Sequence, residues 1–97
     1  MLHKSDFGDA DLTGATLVRA DACQTQFRSA DLTRATLYRI NLMEGSLQKA
    51  KLVGTRLNEA NLYSVSFMNC TLGDTDFTDA YLEKTILQDW RPANGQD

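Results

Sequence analysis

The sequence is poor in the residues that most often support catalysis, metal binding or disulfide crosslinks. Its 97 residues include one histidine, two cysteines and one proline. The only histidine, His3, lies near the start of the chain, and no nucleophile, base and orienting acid recur at spacings typical of a catalytic site. Metal-ligand spacing is absent as well. We therefore expect a protein that is not an enzyme and that has no cofactor and no metal site.

The chain also lacks long apolar runs and a large excess of one charge. No apolar run approaches the roughly 20 residues of a membrane-spanning helix, and the first residues do not resemble a signal peptide. The formal net charge is −3 at pH 7, and 42% of the residues are hydrophobic, as in an ordinary folded domain. We expect one domain without membrane contact and a cytoplasmic location.

What the chain does have is a period of five residues. Counting every fifth position from Leu2 gives leucine or phenylalanine at all positions as far as Leu87 except Ala22. We call these the core positions; they are Leu2, Phe7, Leu12, Leu17, Ala22, Phe27, Leu32, Leu37, Leu42, Leu47, Leu52, Leu57, Leu62, Phe67, Leu72, Phe77, Leu82 and Leu87. Five residues advance an α-helix by about 500°, so this pattern makes no helical stripe. It predicts a solenoid whose units bury their apolar sides by stacking.

The residues around each core position indicate a short strand followed by a corner. The residue two before it is usually small, as at Ala10 and Ala30, and residues two apart share one side of an extended chain. The residue two after it is usually polar or glycine, as at Arg34 and Glu44. The chain must therefore turn there, and repeated turns predict a parallel coil that strand twist makes right-handed.

The phenylalanines suggest the length of one coil. Phe7, Phe27 and Phe67 are separated by multiples of twenty residues, so four units per coil would place their rings in one column. With coils about 4.8 Å apart, Cys23 and Cys70 would lie roughly 10 Å apart along the axis, which is too far for a disulfide. We expect Cys70 to be a small core residue and Cys23 a surface thiol.

Several units match the motif A(D/N)LXX, among them Ala10-Asp11-Leu12, Ala30-Asp31-Leu32 and Ala60-Asn61-Leu62. With this motif the chain resembles the pentapeptide-repeat family from Ser5 to Asp89. The resemblance implies an all-β fold, a right-handed quadrilateral parallel β-helix of about four coils. It does not imply one function, because most members of the family have none assigned.

The two ends of the pattern predict different features. Residues 1–4 are expected to form an N-terminal arm, residues 5–89 the β-helix, and residues 90–97 a cap and polar tail. Pro92 cannot donate to a strand ladder, so the coil should stop before it, with Trp90 folded over the last coil. The first coil has no such cover, and a homodimer through this end is one expectation. The alternative is that Leu2 and Phe7 close it.

One set of outward positions is rich in tyrosine and methionine. At four units per coil these residues form a contiguous strip, which we call the apolar strip: Val18, Tyr38, Met43, Tyr63 and Tyr81. Tyrosine and methionine are enriched in protein interfaces, so the strip is a candidate surface for a protein partner. The alternative is a set of ordinary scattered surface apolar residues.

Charged residues alternate along the predicted axis. The last coil contains a candidate acidic patch, Asp74, Asp76, Asp79 and Glu83, and the first coil is acidic as well. Between them lies a basic belt: Arg28, Arg34, Arg39, Lys49, Lys51 and Arg56. Some members of the family are thought to imitate DNA and inhibit DNA gyrase, but such imitation requires one sign of charge along the rod. Asp31 and Glu44 interrupt the basic belt, so nucleic-acid binding is not expected either.

Three functional hypotheses remain. The segments Ala60-Asn61-Leu62-Tyr63, Gly73-Asp74-Thr75-Asp76-Phe77 and Trp90-Arg91-Pro92 resemble pentapeptide-repeat accessory proteins of bacterial type VI secretion. The first hypothesis is a non-catalytic interaction scaffold or adaptor, and the resemblance implies a link to that system. The alternatives are a DNA-mimicking inhibitor of DNA gyrase and a purely structural module of a larger protein.

Overall fold

In the computed structural model, which describes residues 2–85, the backbone pairs with itself every twenty residues. Isolated parallel bridges such as Asp11↔Asp31 and Asn41↔Asn61 have this spacing. The strands β1 (Lys51–Val53) and β2 (Thr71–Gly73) pair in parallel with the same offset. Paired residues are therefore four units apart, as the phenylalanine spacing suggested. The other predicted strands are reduced to single bridges because a turn interrupts the chain in every unit.

Each unit turns through one recurring backbone conformation. The residue two after each core position has a positive φ, between 54° at Asp74 and 71° at Gly14, and fifteen of these residues are not glycine. The core residue's carbonyl accepts a hydrogen bond from the N–H three residues later, as between Leu32 and Ala35 at 2.9 Å. One positive φ, at the third residue of the turn, is typical of a type II β-turn. The predicted corners are thus confirmed.

Backbone hydrogen bonds join successive coils in a fixed register. The N–H of Leu32 donates to the carbonyl of Lys51 at 2.9 Å, and the same nineteen-residue step recurs at other core positions. Leu2 already follows it, donating to Asp21 at 2.8 Å, and Lys4 donates to Cys23 at 3.0 Å. The hydrogen-bonded coil therefore begins ahead of the boundary predicted at Ser5. The predicted cap and tail at 90–97 lie outside the described residues.

The core positions form the interior. The core positions from Ala22 to Phe67 are all fully buried, whereas those of the first coil are partly buried. Leu72 is the exception, with 37% of its surface exposed. The rings of Phe7 and Phe27 stack with centroids 5.3 Å apart and planes 10° apart, which confirms the predicted column for these two phenylalanines. Phe67 instead meets Phe77 edge-on at 5.7 Å.

The inward small positions also accommodate buried threonine. The hydroxyl of Thr55 donates to the carbonyl of Leu32 at 2.7 Å, so its polar atom is satisfied inside the coil. Cys70 is partly buried and packs against the core, and neither it nor Cys23 forms a disulfide. Within residues 2–85, no helix is long and apolar enough to cross a membrane.

Candidate partner surface

An asparagine ladder supports the middle of the apolar strip. The side-chain oxygen of Asn61 accepts from the N–H of Tyr63 at 3.2 Å, and that of Asn41 accepts from the N–H of Met43 at 3.3 Å. The side-chain amide of Asn61 also donates to the side-chain oxygen of Asn41 at 3.2 Å. Each asparagine thus fixes the turn that presents the next strip residue, and the ladder ties the two turns together.

The same local bond occurs in other units and explains the preference for Asp or Asn before the core leucine. The carboxylates of Asp11, Asp31 and Asp76 each accept from the backbone N–H two residues later, at 2.9–3.1 Å. The hydroxyls of Thr13, Thr33 and Thr78 donate to the same carboxylates. The hydrogen bond from the threonine hydroxyl is the main reason that the pKa of each carboxyl lies below its ordinary value.

Tyr63 and Tyr81 form the aromatic end of the strip. Their rings stack with centroids 5.9 Å apart and planes 17° apart. The phenol of Tyr81 donates a hydrogen bond to the carboxylate of Glu83, and this bond is the main reason that the pKa of Tyr81 is raised. Tyr81 keeps 39% of its surface exposed, so the stacked pair offers an aromatic face to solvent.

Val18 and Tyr38 occupy the preceding corner of the coil. Val18 is 41% exposed, and the guanidinium carbon of Arg39 lies 5.2 Å from the centroid of the Tyr38 ring. Arg39 is also paired with Glu59 at 2.9 Å. The ion pair with Glu59 therefore holds the positive charge of Arg39 beside the ring of Tyr38, in a cation–π contact.

The strip consists of two columns and one added ring. Val18 and Tyr38 are twenty residues apart and share one corner, and Met43 and Tyr63 share the next corner in the same way. Tyr81 lies above Asn61, with which it forms a parallel bridge, and reaches Tyr63 diagonally. Tyr38, Met43 and Tyr63 are partly buried, whereas Val18 and Tyr81 are exposed.

The acidic patch is divided by the fold. Asp74, Asp76 and Asp79 follow one another across a single side of the coil, while Glu83 bonds to Tyr81 at the strip. Asp76 pairs across the coils with Arg56, whose positive charge contributes to its lowered pKa. Asp76 therefore lies directly beside a basic residue of the coil before, whereas Asp79 is in register with the acidic Glu59.

Sequence reasoning missed a second exposed apolar pair on another side. Val53 is 39% exposed and Leu72 is 37% exposed. The spacing of Leu72 marks it as a core residue, but no described residue covers it in the coil beyond. Val53 lies opposite Gly73 in the β1–β2 pair, and glycine offers no side chain to shield it. The glycine at position 73, twenty residues after Val53, could have revealed from the sequence that Val53 is exposed.

The rim of the first coil has open backbone groups. Within residues 2–85, the carbonyls along its outer edge accept no hydrogen bond. They belong to His3, Asp6, Gly8, Asp11, Thr13, Thr16 and Val18. The residues of this rim are exposed. They form an edge that water or another chain can pair with.

No group of three or more His, Cys, Asp or Glu side chains within residues 2–85 is placed to hold a metal ion. The two cysteines differ in environment, because burial raises the pKa of the Cys70 thiol to about 11. Cys23 lies at an outward corner, in the column that also contains Met43 and Tyr63.

A family model described as a pentapeptide repeat region matches residues 20–91. No curated protein sequence matches the chain at a significant level. Among solved structures, the chain is similar to a pentapeptide repeat protein from the Arabidopsis thaliana thylakoid lumen, with 24% identity, a TM-score of 0.47, and coverage of 91% of this chain and 72% of that one.

Two cyanobacterial proteins show a comparable likeness. Rfr23 from Cyanothece 51142 is 23% identical with a TM-score of 0.46, over 89% of this chain and 56% of that one. HetL from Nostoc sp. strain PCC 7120, a pentapeptide repeat protein involved in heterocyst differentiation regulation, is 22% identical with a TM-score of 0.42, over 86% of this chain and 49% of that one. The chain thus spans about half the length of these two proteins.

Proposed function

This chain belongs to the pentapeptide-repeat family, and we propose that it is a non-catalytic interaction scaffold. Membership of the family implies a right-handed quadrilateral β-helix. In this proposal a β-helix of about four coils presents the apolar strip to a protein partner. The side chains of the strip supply the contact, and the coil keeps them in fixed positions.

The asparagine ladder between Asn41 and Asn61 is the observation on which the proposal depends. It fixes the turns that present Met43 and Tyr63, and the stack of Tyr63 on Tyr81 fixes a third side chain. Ordering an interface side chain on binding costs about 0.5–1.5 kcal/mol. A surface that is already ordered avoids part of that cost, so a small strip can bind usefully.

The chemistry of the strip also suits a protein partner. Tyrosine is among the residues that contribute most to binding energy in protein interfaces, and methionine adapts its shape to the opposing surface. The guanidinium of Arg39 lies beside Tyr38 at the border of the strip, where a charged group can contact the polar rim of a partner.

DNA mimicry receives less support from the charges. A protein that imitates DNA needs negative charge along its length. Here Asp76 pairs across the coils with Arg56, and Arg39 bonds to Glu59 on the same side of the solenoid. The alternation favours a mixed surface over an acidic rod. A link to type VI secretion stays a prediction from the sequence resemblance. A purely structural role stays the second alternative.

The experiment is affinity capture from a native extract with three forms of the protein. The first is the wild type, and the second is the double variant Met43→Glu/Tyr63→Arg, which charges the strip. The third is Val53→Glu, which charges an exposed apolar residue on another side and so serves as the matched control. Circular dichroism and thermal unfolding establish that all three are folded.

The proposal predicts a protein that the wild type and Val53→Glu capture and that the strip variant loses. Equal capture by all three would contradict it and move attention to the acidic patch, especially if gyrase were the protein retained. Loss only with Val53→Glu would assign binding to the Val53 and Leu72 side instead.

The homodimer expected through the first coil also stays a prediction. Its open carbonyls could accept hydrogen bonds from the open N–H groups on the same rim of a second copy, but Asp6, Asp9 and Asp11 would then face the same acids of that copy. High salt screens the repulsion between like charges. Light scattering after size exclusion should therefore show more dimer at 1 M salt than at 0.05 M salt, and a monomer at both would contradict the prediction.

A further inference from the structure

One corner of the solenoid places three metal-ligating side chains in a column. His3, Cys23 and Met43 are twenty residues apart, and each directly follows a core position. The hydrogen bonds beside them fix this register: Lys4 donates to the carbonyl of Cys23 at 3.0 Å, and Gln24 donates to the carbonyl of Met43 at 2.8 Å. Histidine, cysteine and methionine thus occupy the same corner on three successive coils.

The spacing of the coils suits a shared ion. Residues in register on adjacent paired strands lie about 4.8 Å apart. Imidazole nitrogen and thiolate sulfur bind a metal such as zinc at about 2.0–2.3 Å, so an ion level with Cys23 lies within reach of a histidine one coil below. Methionine has a long flexible side chain that can approach the same ion from one coil above.

All three side chains are available. Within residues 2–85, the His3 ring, the Cys23 thiol and the Met43 thioether make no hydrogen bond to another residue. His3 is exposed, and Cys23 and Met43 are partly buried, so an ion has access from solvent. Cys70 lies on another side of the coil and packs against the core.

We propose that His3, Cys23 and Met43 form a binding site for one soft monovalent metal ion, of which Cu(I) is the type. Thiolate and thioether ligands select Cu(I) over hard cations, and imidazole binds it as well. Binding displaces the proton of the Cys23 thiol, so the thiolate neutralises the charge of the ion. His3 supplies a nitrogen lone pair, and Met43 supplies a neutral sulfur as the third ligand.

This site is distinct in chemistry from a zinc or calcium site. Only one histidine and one cysteine of the column are ligands that Zn²⁺ prefers, and structural zinc sites use four such ligands. No carboxylate belongs to the proposed set, so Ca²⁺ and Mg²⁺ have no preferred ligand there. The sequence reveals the column of His3, Cys23 and Met43 only when the length of one coil, twenty residues, is known.

The test is an anaerobic titration of the whole chain with Cu(I), in competition with the chromophoric chelator bathocuproine disulfonate. The affinity and the thiolate-to-metal ultraviolet band are measured together. Four variants are compared with the wild type: Cys23→Ser, Met43→Leu, His3→Ala and the matched control Cys70→Ser. Circular dichroism verifies that each is folded, and the same titration in urea measures binding by the unfolded chain.

The proposal predicts one Cu(I) per folded chain, bound much more tightly than by the unfolded chain. Losing an outer-sphere partner of a metal site costs about 10–100-fold in affinity. Cys23→Ser should weaken Cu(I) binding by more than this factor and remove the ultraviolet band. Met43→Leu and His3→Ala should each weaken Cu(I) binding roughly tenfold or more. Cys70→Ser should bind like the wild type.

Three results would overturn the proposal. The first is equal affinity in the folded and unfolded chains, which would mean that any thiol suffices. The second is retention of binding by Cys23→Ser. The third is wild-type affinity in both Met43→Leu and His3→Ala, which would leave a cysteine without the other two ligands.

Discussion

The side-chain amide of Asn61 donates a hydrogen bond of 3.2 Å to the side-chain oxygen of Asn41, which lies twenty residues earlier in the neighbouring coil. Both asparagines also cap the turn that follows them. This ladder links two coils through their side chains, in addition to the backbone bonds between them. Its position beneath Met43 and Tyr63 makes it a support for the apolar strip.

The ladder should contribute measurably to stability. Asn61→Ala removes the acceptor for the Tyr63 N–H and the donor to Asn41, and losses of this kind cost about 1–3 kcal/mol. Urea unfolding should therefore show a lower free energy of unfolding. Asn61→Ser is the matched control, because serine at the equivalent position 46 accepts from the N–H two residues later at 3.1 Å, so the variant keeps the acceptor for Tyr63 and loses the donor to Asn41. Equal losses in the two variants would contradict a role for the turn bond.

Gly45 should not tolerate a methyl group. A Cβ at this position would lie 2.5 Å from the carbonyl oxygen of Thr25 and 2.9 Å from a methyl carbon of Leu42. Overpacking of this kind costs about 1–3 kcal/mol, so Gly45→Ala should lower the melting temperature.

Gly73→Ala is the matched control for Gly45. A Cβ at Gly73 would be 3.5 Å from the nearest atom of Val53, an ordinary contact. Replacing glycine where there is room stabilises by about 0.4–1 kcal/mol through the unfolded chain. A melting temperature that falls equally for both variants would show that loss of glycine itself, and not the Thr25 contact, is responsible.

The hydrogen bond from the Thr33 hydroxyl should set the titration of Asp31. This bond is the main reason that the pKa of Asp31 lies below its ordinary value of 3.8. Thr33→Val removes the hydroxyl and keeps a similar shape, so the pKa of Asp31 should rise in a carbon-13 NMR titration. Asp76 is the internal control, because it bonds to Thr78 and should titrate as before.

The sign of the stability effect follows from the lowered pKa. A carboxyl with a depressed folded pKa stabilises the fold above its unfolded pKa, and this contribution is lost as the pH falls through the folded value. Thr33→Val should therefore reduce the acid dependence of unfolding below about pH 4. An Asp31 pKa that does not move would contradict the assignment.

Ala22 is the one core position without a large side chain, and it is fully buried. Truncating a buried leucine to alanine typically costs about 2–5 kcal/mol. We predict that Ala22→Leu raises the melting temperature, by roughly 4–8 °C for each 1 kcal/mol gained. A lowered melting temperature would mean that neighbouring side chains already fill the space.

The repeat made much of the fold predictable. The buried leucines and phenylalanines, the corner at residues such as Arg34 and Glu44, and the stacking of Phe7 on Phe27 all follow from periods of five and twenty. Even the turn type has a sequence trace. The seventeen positions with positive φ contain no β-branched residue, the class that this conformation disfavours most.

The contacts that the repeat does not determine were harder to predict. The stack of Tyr63 on Tyr81 joins two different columns, so it depends on side-chain rotamers and not on the period. The exposure of Leu72 depends on what lies beyond its coil, which the core spacing cannot show. The asparagine ladder needs both the coil length and the turn bond, and the sequence alone indicated only the first.

The most direct test of the scaffold is site-specific photocrosslinking in the native cell. A benzophenone amino acid replaces Tyr63 in the strip, and in a second form it replaces Val53 on another side. The account predicts that position 63 crosslinks to one defined protein and that position 53 does not. Crosslinking of the same protein at both positions, or only at position 53, would contradict the claim that the apolar strip is the partner surface.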